Sequence, residues 1–122
     1  MIALIEDTPA VAQLITIVLE TQGYSVKHFL DGAAFFATLQ DTLYDIVLVD
    51  LNLPGNVSGF QVILSLHEMM PHVPIIIVSG ASKGLLASVH TLYPTLPIIR
   101  KPFKMQELLR EVSAALKTQL PL

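Results

Sequence analysis

The sequence predicts a single α/β domain built on a parallel sheet with helices on both faces. Three observations carry this. Five short apolar runs alternate with five segments of helical spacing along the 122 residues. The middle runs, such as Ile46-Val47-Leu48-Val49, are apolar at every position, as strands covered on both faces are. Charged and hydroxyl residues gather where the runs end, and in open parallel sheets that edge is where ligands bind.

The strand-like runs lie at 2–6, 25–29, 45–50, 74–79 and 97–101. Between the first two, Val11, Leu14, Ile15, Val18 and Leu19 form one helical face. Thr8 suits the cap of that helix, Pro9 its first position and Gly23 its exit. Asp31 reads as the cap of a short second helix running through Gln40. A third helix spans 58–70 and stops at Pro71, and a fourth carries Leu85, Leu86, Val89, Leu92 and Tyr93 before Pro94. The fifth presents Met105, Leu108, Leu109, Val112 and Leu116. No internal repeat, low-complexity segment or linker interrupts the pattern.

Composition narrows the function. With 52% hydrophobic and 14% charged residues the chain reads as an ordered globular domain. A net charge of −3 with no basic stripe argues against nucleic acid as a partner. There is no cysteine, hence no disulfide or thiolate metal site, which fits a reducing compartment. The start, MIALIEDTPA, lacks the basic residues of a signal peptide. No apolar run approaches the roughly 18 residues that span a bilayer. The expectation is a cytoplasmic protein without a membrane anchor, in which the Asn-Val-Ser at 56–58 is a chance match to a glycosylation acceptor.

Strand one ends with Glu6 and Asp7, strand three with Asp50, strand four with Ser79, and strand five with Lys101 followed by Pro102. A carboxylate at the edge of an apolar core is costly unless something pairs with it. Three together repel and raise one another's pKa. A hard divalent cation resolves this, and Mg²⁺ favours a few carboxylates, waters and a phosphate oxygen. Asp50 is therefore expected between a metal and Lys101. A carboxylate so placed can attack phosphorus to form an aspartyl-phosphate. The positioning and charge stabilisation that phosphoryl transfer needs can come from Mg²⁺, Lys101, the Ser79 hydroxyl and the N–H groups of Leu51 and Gly80. Gly80 would leave steric room beside the phosphoryl group.

Over essentially its whole length the chain resembles the receiver domain of two-component response regulators. The matching pieces are Glu6-Asp7, the VDLNLPG around Asp50, the VSGA around Ser79 and the RKPF at 100–103. The resemblance implies a flavodoxin-like (βα)5 fold with strand order 2-1-3-4-5. It implies Asp50 as phosphoacceptor, Glu6 and Asp7 as metal-binding acids with the backbone carbonyl of Asn52, Ser79 as the hydroxyl switch residue, and a cis Lys101–Pro102 bond. It implies Mg²⁺ as cofactor and a histidine kinase or histidine phosphotransfer protein as partner, with a possible homodimer through helix four, strand five and helix five. The domain would not be a turnover enzyme; it would promote only its own phosphorylation and dephosphorylation. The chain ends within five residues of Lys117, so the expectation is one receiver domain over 1–122 with no output domain, a stand-alone regulator or the receiver of a larger protein.

Two departures stand out. The family usually has a glycine eight residues after the phosphoacceptor, whereas Gly59 comes nine after Asp50, so the loop between looks one residue longer. The family often carries Tyr or Phe at the switch position three residues before the lysine, where this chain has Ile98.

Taken singly, each residue has an ordinary reading: Asp50 as a turn residue, Glu6 and Asp7 as a solvated cap, Ser79 as a turn starter, Lys101 as a surface residue. One site accounts for all of them together. His28, His67, His72 and His90 have no metal-ligand spacing and read as surface residues, Met69 and Met70 as packing, and Ile17 as an exposed apolar residue. Three other functions compete with this reading. A haloacid-dehalogenase-type phosphatase would carry its nucleophile on strand one and a second Asp two residues on, where this chain has Asn52 after Asp50. A flavin module would need a phosphate loop after strand one, and Glu6-Asp7 would repel a phosphate. A receiver-like interaction module working without phosphorylation would not need the full residue set.

Overall fold

The computed structural model describes residues 1–117; the last five residues of the domain expected over 1–122 lie outside them. In chain order the elements are β1 (Ile2–Ile5), α1 (Pro9–Thr21), β2 (Val26–Phe29), α2 (Gly32–Phe36), β3 (Ile46–Val49), α3 (Gly59–Met69), β4 (Ile75–Ser79), α4 (Lys83–Leu92), β5 (Ile98–Arg100) and α5 (Met105–Lys117). The five strands form one parallel sheet in the order β2-β1-β3-β4-β5. Both the fold class and the strand order are those expected. No helix among the described residues is long and apolar enough to cross a membrane.

The sheet divides two cores. Ala3, Ile5, Val47, Val49, Ile75 and Ile77 face one side, against Val62, Ile63 and Leu66 of α3 and Leu86 and Val89 of α4. Ile2, Leu4, Ile46, Leu48, Ile76 and Val78 face the other, against Ala12, Ile15 and Leu19 of α1 and Leu108 and Val112 of α5. Alternate residues of each strand thus enter opposite cores, which is why the central runs carry no polar position.

Local chemistry fixes several helix ends. Asp31 accepts from the Ala34 N–H at 2.8 Å and caps α2. Ser58 and Gln61 form a reciprocal capping box that starts α3. Gly23 leaves α1 at φ +89°, a conformation glycine adopts without penalty.

Five expectations are corrected. Met69, expected to pack, is 61% exposed. Thr8 occupies the cap position of α1, but its side chain makes no capping bond; its N–H instead donates to the Glu6 carboxylate at 3.2 Å. Helix α2 ends at Phe36 rather than Gln40, and tight turns follow, with Thr38 N–H on the Phe35 carbonyl and Asp41 N–H on the Thr38 carbonyl. There the Thr38 hydroxyl bonds the Phe35 carbonyl at 2.7 Å and the Tyr44 hydroxyl at 2.6 Å, a local alternative to helix continuation. Leu14 is 50% exposed and lies outside the buried stripe, whose centre is Ala12, Ile15 and Leu19. On α4 only Leu86 and Val89 are buried, while Leu85 and Leu92 face outward.

Candidate functional site

Both buried acids arrive at the carboxyl edge of the sheet on a backbone hydrogen bond that continues the ladder. The Glu6 N–H donates to the Phe29 carbonyl at 3.0 Å and the Asp50 N–H to the Ile5 carbonyl at 3.1 Å. These bonds extend β1 and β3 by one residue and deliver both side chains to one place. On the far side the Lys101 N–H donates to the Ser79 carbonyl at 3.0 Å, which brings the lysine over the same edge. The Lys101–Pro102 peptide bond is cis.

Asp50 is 5% exposed and fully engaged. Its Oδ1 accepts from the Ser79 hydroxyl at 2.8 Å and from the Asn52 N–H at 3.1 Å. Its Oδ2 accepts from the Lys101 ammonium at 2.9 Å. The same ammonium donates to Glu6 Oε1, so Lys101 bridges the two buried acids. Ser79 is fully buried, and its Oγ also accepts from the Ala81 N–H at 3.2 Å. Asp7 is exposed, yet one carboxylate oxygen from each of Glu6, Asp7 and Asp50 lies within 4.8 Å of the others. The structure thus brings together Glu6, Asp7, Asp50, Ser79 and Lys101.

The electrostatics follow from that packing. Burial is the largest influence on Glu6 and pushes its carboxyl above the ordinary range; the bonds from Lys101 and the Thr8 N–H pull it back, and the nearby Asp50 charge pushes it further up. Burial alone would lower the Lys101 pKa, but its bonds to Glu6 and Asp50 outweigh that and hold the ammonium above its ordinary range. Three carboxylates and one ammonium leave the cluster two charges negative when all are ionised. An all-oxygen donor set with that excess fits a hard divalent cation such as Mg²⁺.

Glycine matters at one close approach. A Cβ on Gly59 would stand 2.1 Å from the Asp50 carbonyl oxygen, so the first turn of α3 presses directly on the end of β3. The loop from Asp50 is one residue longer than the resemblance suggests, yet its glycine still closes on Asp50. At Gly80 a Cβ would make only ordinary contact, 3.7 Å from the Lys101 Cβ. Ile98 is half-buried, pairs in register with Ile77 and packs against the core that holds Leu86 and Val89.

One residue near the acids escaped the sequence reading. His28 is exposed, as expected, but its Nε2 lies 2.7 Å from the Glu6 carbonyl oxygen. The signal for it is strand register, which pairs His28 with Leu4 two residues before Glu6. His67, by contrast, stacks on Tyr93 with ring centroids 4.9 Å apart. With His72 it lines a groove of about 610 Å³ beside the amino ends of β4 and β5, at the opposite end of the strands from the acids.

Known proteins with this sequence pattern and fold agree with one another. Residues 2–113 match the response regulator receiver domain family. Response regulator ArlR of Staphylococcus saprophyticus is 30% identical over 118 residues, covering 97% of this chain and 53% of that protein. Cell cycle response regulator CtrA of Brucella ovis is 33% identical over 119 residues, covering 95% of this chain and 50% of that protein. The chain therefore spans about half the length of the curated relatives it matches. A receiver domain protein from Methanospirillum hungatei superposes with a TM-score of 0.86 at 25% identity, covering 97% of this chain and 94% of that one. The receiver domain of NtrX from Brucella abortus shares the fold with a TM-score of 0.87 at 22% identity, over 97% and 99% of the two chains. The match over almost the whole of the described chain, on a sheet of the expected order, places this protein in the response regulator receiver domain family.

Proposed function

We propose that this domain takes a phosphoryl group onto Asp50 from the phosphohistidine of a histidine kinase or histidine phosphotransfer protein, with Mg²⁺ at the acidic cluster, and signals by a change of conformation. The observation that carries the reading is the state of Asp50: a buried carboxylate gripped by Ser79 and Lys101 within reach of two further acids.

Glu6, Asp7 and Asp50, with the backbone carbonyl of Asn52, would hold the metal. Bound there, Mg²⁺ would supply charge neutralisation for the phosphoryl oxygens. One Asp50 oxygen attacks phosphorus as the P–N bond to the donor imidazole breaks, and the imidazole leaves carrying the electron pair of that bond. The product is an acyl phosphate on Asp50 and a free histidine on the donor. Lys101, already 2.9 Å from Oδ2, stays beside the new group and offsets its charge. The Ser79 hydroxyl, released from Oδ1, donates to a phosphoryl oxygen and draws on the Ala81 N–H bonded to it. Water attack on phosphorus later returns Asp50 to the free acid, with Asn52 and Ala81 flanking its approach. Asp50 is itself the acceptor, so the domain is not a turnover enzyme. A homodimer through α4, β5 and α5 belongs to the same reading, and the outward Leu85 and Leu92 offer it apolar area.

The test is incubation with phosphoramidate and Mg²⁺ followed by intact-mass measurement. Wild type should gain one phosphoryl group and Asp50→Asn none. An unchanged adduct on the variant overturns the assignment. No adduct on wild type favours an interaction module that works without phosphorylation.

A further inference from the structure

We propose that His28 is a positioning residue for the acidic cluster, acting on the peptide that joins Glu6 to Asp7. The inference rests on the reading of that cluster as a Mg²⁺ site.

Strands β1 and β2 run in register through Leu4↔His28 and Ile5↔Phe29, and the Glu6 N–H makes one further bond to the Phe29 carbonyl. The ladder would continue by bringing the N–H of residue 31 onto the Glu6 carbonyl. The chain has by then turned away: β2 ends at Phe29, and Asp31 caps α2. The imidazole of His28 takes that place, with Nε2 at 2.7 Å from the Glu6 carbonyl oxygen. A carbonyl only accepts, so Nε2 carries the hydrogen, which fixes the ring's role as a donor.

That carbonyl belongs to the peptide bond between Glu6 and Asp7. A peptide is planar, so anchoring its oxygen fixes the direction in which the chain leaves toward the Asp7 Cα. The Glu6 side chain is independently tied down by the Thr8 N–H and Lys101. Among the described residues no such side-chain tie is seen for Asp7, which is exposed. Its carboxylate reaches the cluster on the geometry of the backbone that His28 holds. Sidechain groups that orient metal ligands without touching the metal shift affinity by about 10- to 100-fold when removed. His28 works one step further out, through the main chain, so the lower end of that range is expected.

The experiment compares wild type, His28→Leu and His28→Gln. Leucine removes the donor, whereas glutamine places an amide N–H the same number of bonds from Cα. The chain has no tryptophan, so Mg²⁺ binding is followed by isothermal titration calorimetry, alongside melting of the metal-free proteins. His28→Leu should bind Mg²⁺ about tenfold more weakly, with little change in metal-free melting temperature, and His28→Gln should recover most of the loss. The rate of phosphorylation by phosphoramidate should show the same split: a higher half-saturating Mg²⁺ concentration with an unchanged maximal rate. Wild-type affinity in His28→Leu overturns the proposal. So does an equal loss in both variants, or a loss matched by a fall in metal-free melting, because either points to packing. If wild type itself binds no Mg²⁺, the metal-site reading fails and this inference with it.

Discussion

Gly59 and Asp50 meet backbone to backbone: a Cβ on Gly59 would lie 2.1 Å from the Asp50 carbonyl oxygen and 2.6 Å from the Leu51 Cα. Both neighbours are main-chain atoms at the end of a fully buried strand, so neither can swing aside as a flexible side chain would. Gly59→Ala should therefore destabilise the fold by about 3 kcal/mol, the upper part of the usual overpacking range. The strain is delivered to the proposed phosphoacceptor, Asp50. Phosphorylation at saturating Mg²⁺ should slow by roughly tenfold or more, since small misplacements of a reacting group are costly. Urea melts and phosphoramidate kinetics check both, and a variant indistinguishable from wild type would show that the contact relaxes without consequence.

Lys101 is shared between Glu6 and Asp50, so its removal exposes two buried carboxylates to each other. Lys101→Met should cost the metal-free protein about 3 kcal/mol, as when one partner of a buried pair is lost. Burial opposes the charge on Lys101, yet the two carboxylates prevail and raise its pKa above the ordinary 10.5. The folded chain thus holds this proton more tightly than the unfolded one. The stability difference between wild type and variant should be full below pH 10.5 and close as pH rises through the higher folded value. Urea midpoints at neutral and alkaline pH test the sign; a gap that widens with pH would contradict it.

Glu6 works in the opposite sense for metal binding. Burial raises its pKa above 4.5 in the metal-free protein, so the folded state binds its proton more tightly than the unfolded chain. With respect to Glu6, metal-free stability is greatest below 4.5 and declines as pH rises through the folded value. In the proposed site a metal needs Glu6 as the carboxylate, so Mg²⁺ binding would compete with the proton that burial favours. The rise in melting temperature at a fixed Mg²⁺ concentration should be larger near neutral pH than at about pH 5. Glu6→Gln should reduce the Mg²⁺ effect overall and flatten its pH dependence. An effect of equal size at both pH values in wild type would show that no proton on Glu6 competes with the metal in that range.

The site was legible because its residues contradict their surroundings. Glu6 and Asp50 follow runs whose side chains are all buried, and Lys101 follows a shorter run that ends on the exposed Arg100. Helix faces were less sharply marked. Leu14 is apolar and three residues from Val11, but the stripe that meets β1 is centred on Ala12, Ile15 and Leu19, a rotation that spacing alone does not resolve. The early end of α2 depends on the Thr38 hydroxyl meeting Tyr44. Thr8 holds the cap position of α1 without a side-chain bond, and its N–H goes to the Glu6 carboxylate, a contact that spacing does not show. The bond from His28 to the Glu6 carbonyl requires both strand register and ring orientation. Only the first of these is written in a hydrophobic pattern.

A phosphoryl group on Asp50 is expected to be felt at α4 through Ser79. Ser79 Oγ links Asp50 Oδ1 to the Ala81 N–H, so a shift of that hydroxyl moves the start of the loop into α4. In many members of the family an aromatic ring at the position of Ile98 then changes rotamer and fills the space vacated. Ile98 is half-buried against the core that holds Leu86 and Val89. Its β-branched side chain is stiff about its first torsion and has little swing to offer. A two-state element responds only as far as its contacts differ between the states, and Ile98 supplies fewer such differences than a tyrosine. Wild type should therefore show a modest change in amide exchange over Lys83–Leu92 when beryllofluoride and Mg²⁺ mimic the phosphorylated state. Ile98→Tyr should enlarge that change about fivefold, near 1 kcal/mol and at the low end of allosteric coupling energies. A large, saturating response in wild type that tyrosine does not increase would show that the loop backbone alone carries the full signal.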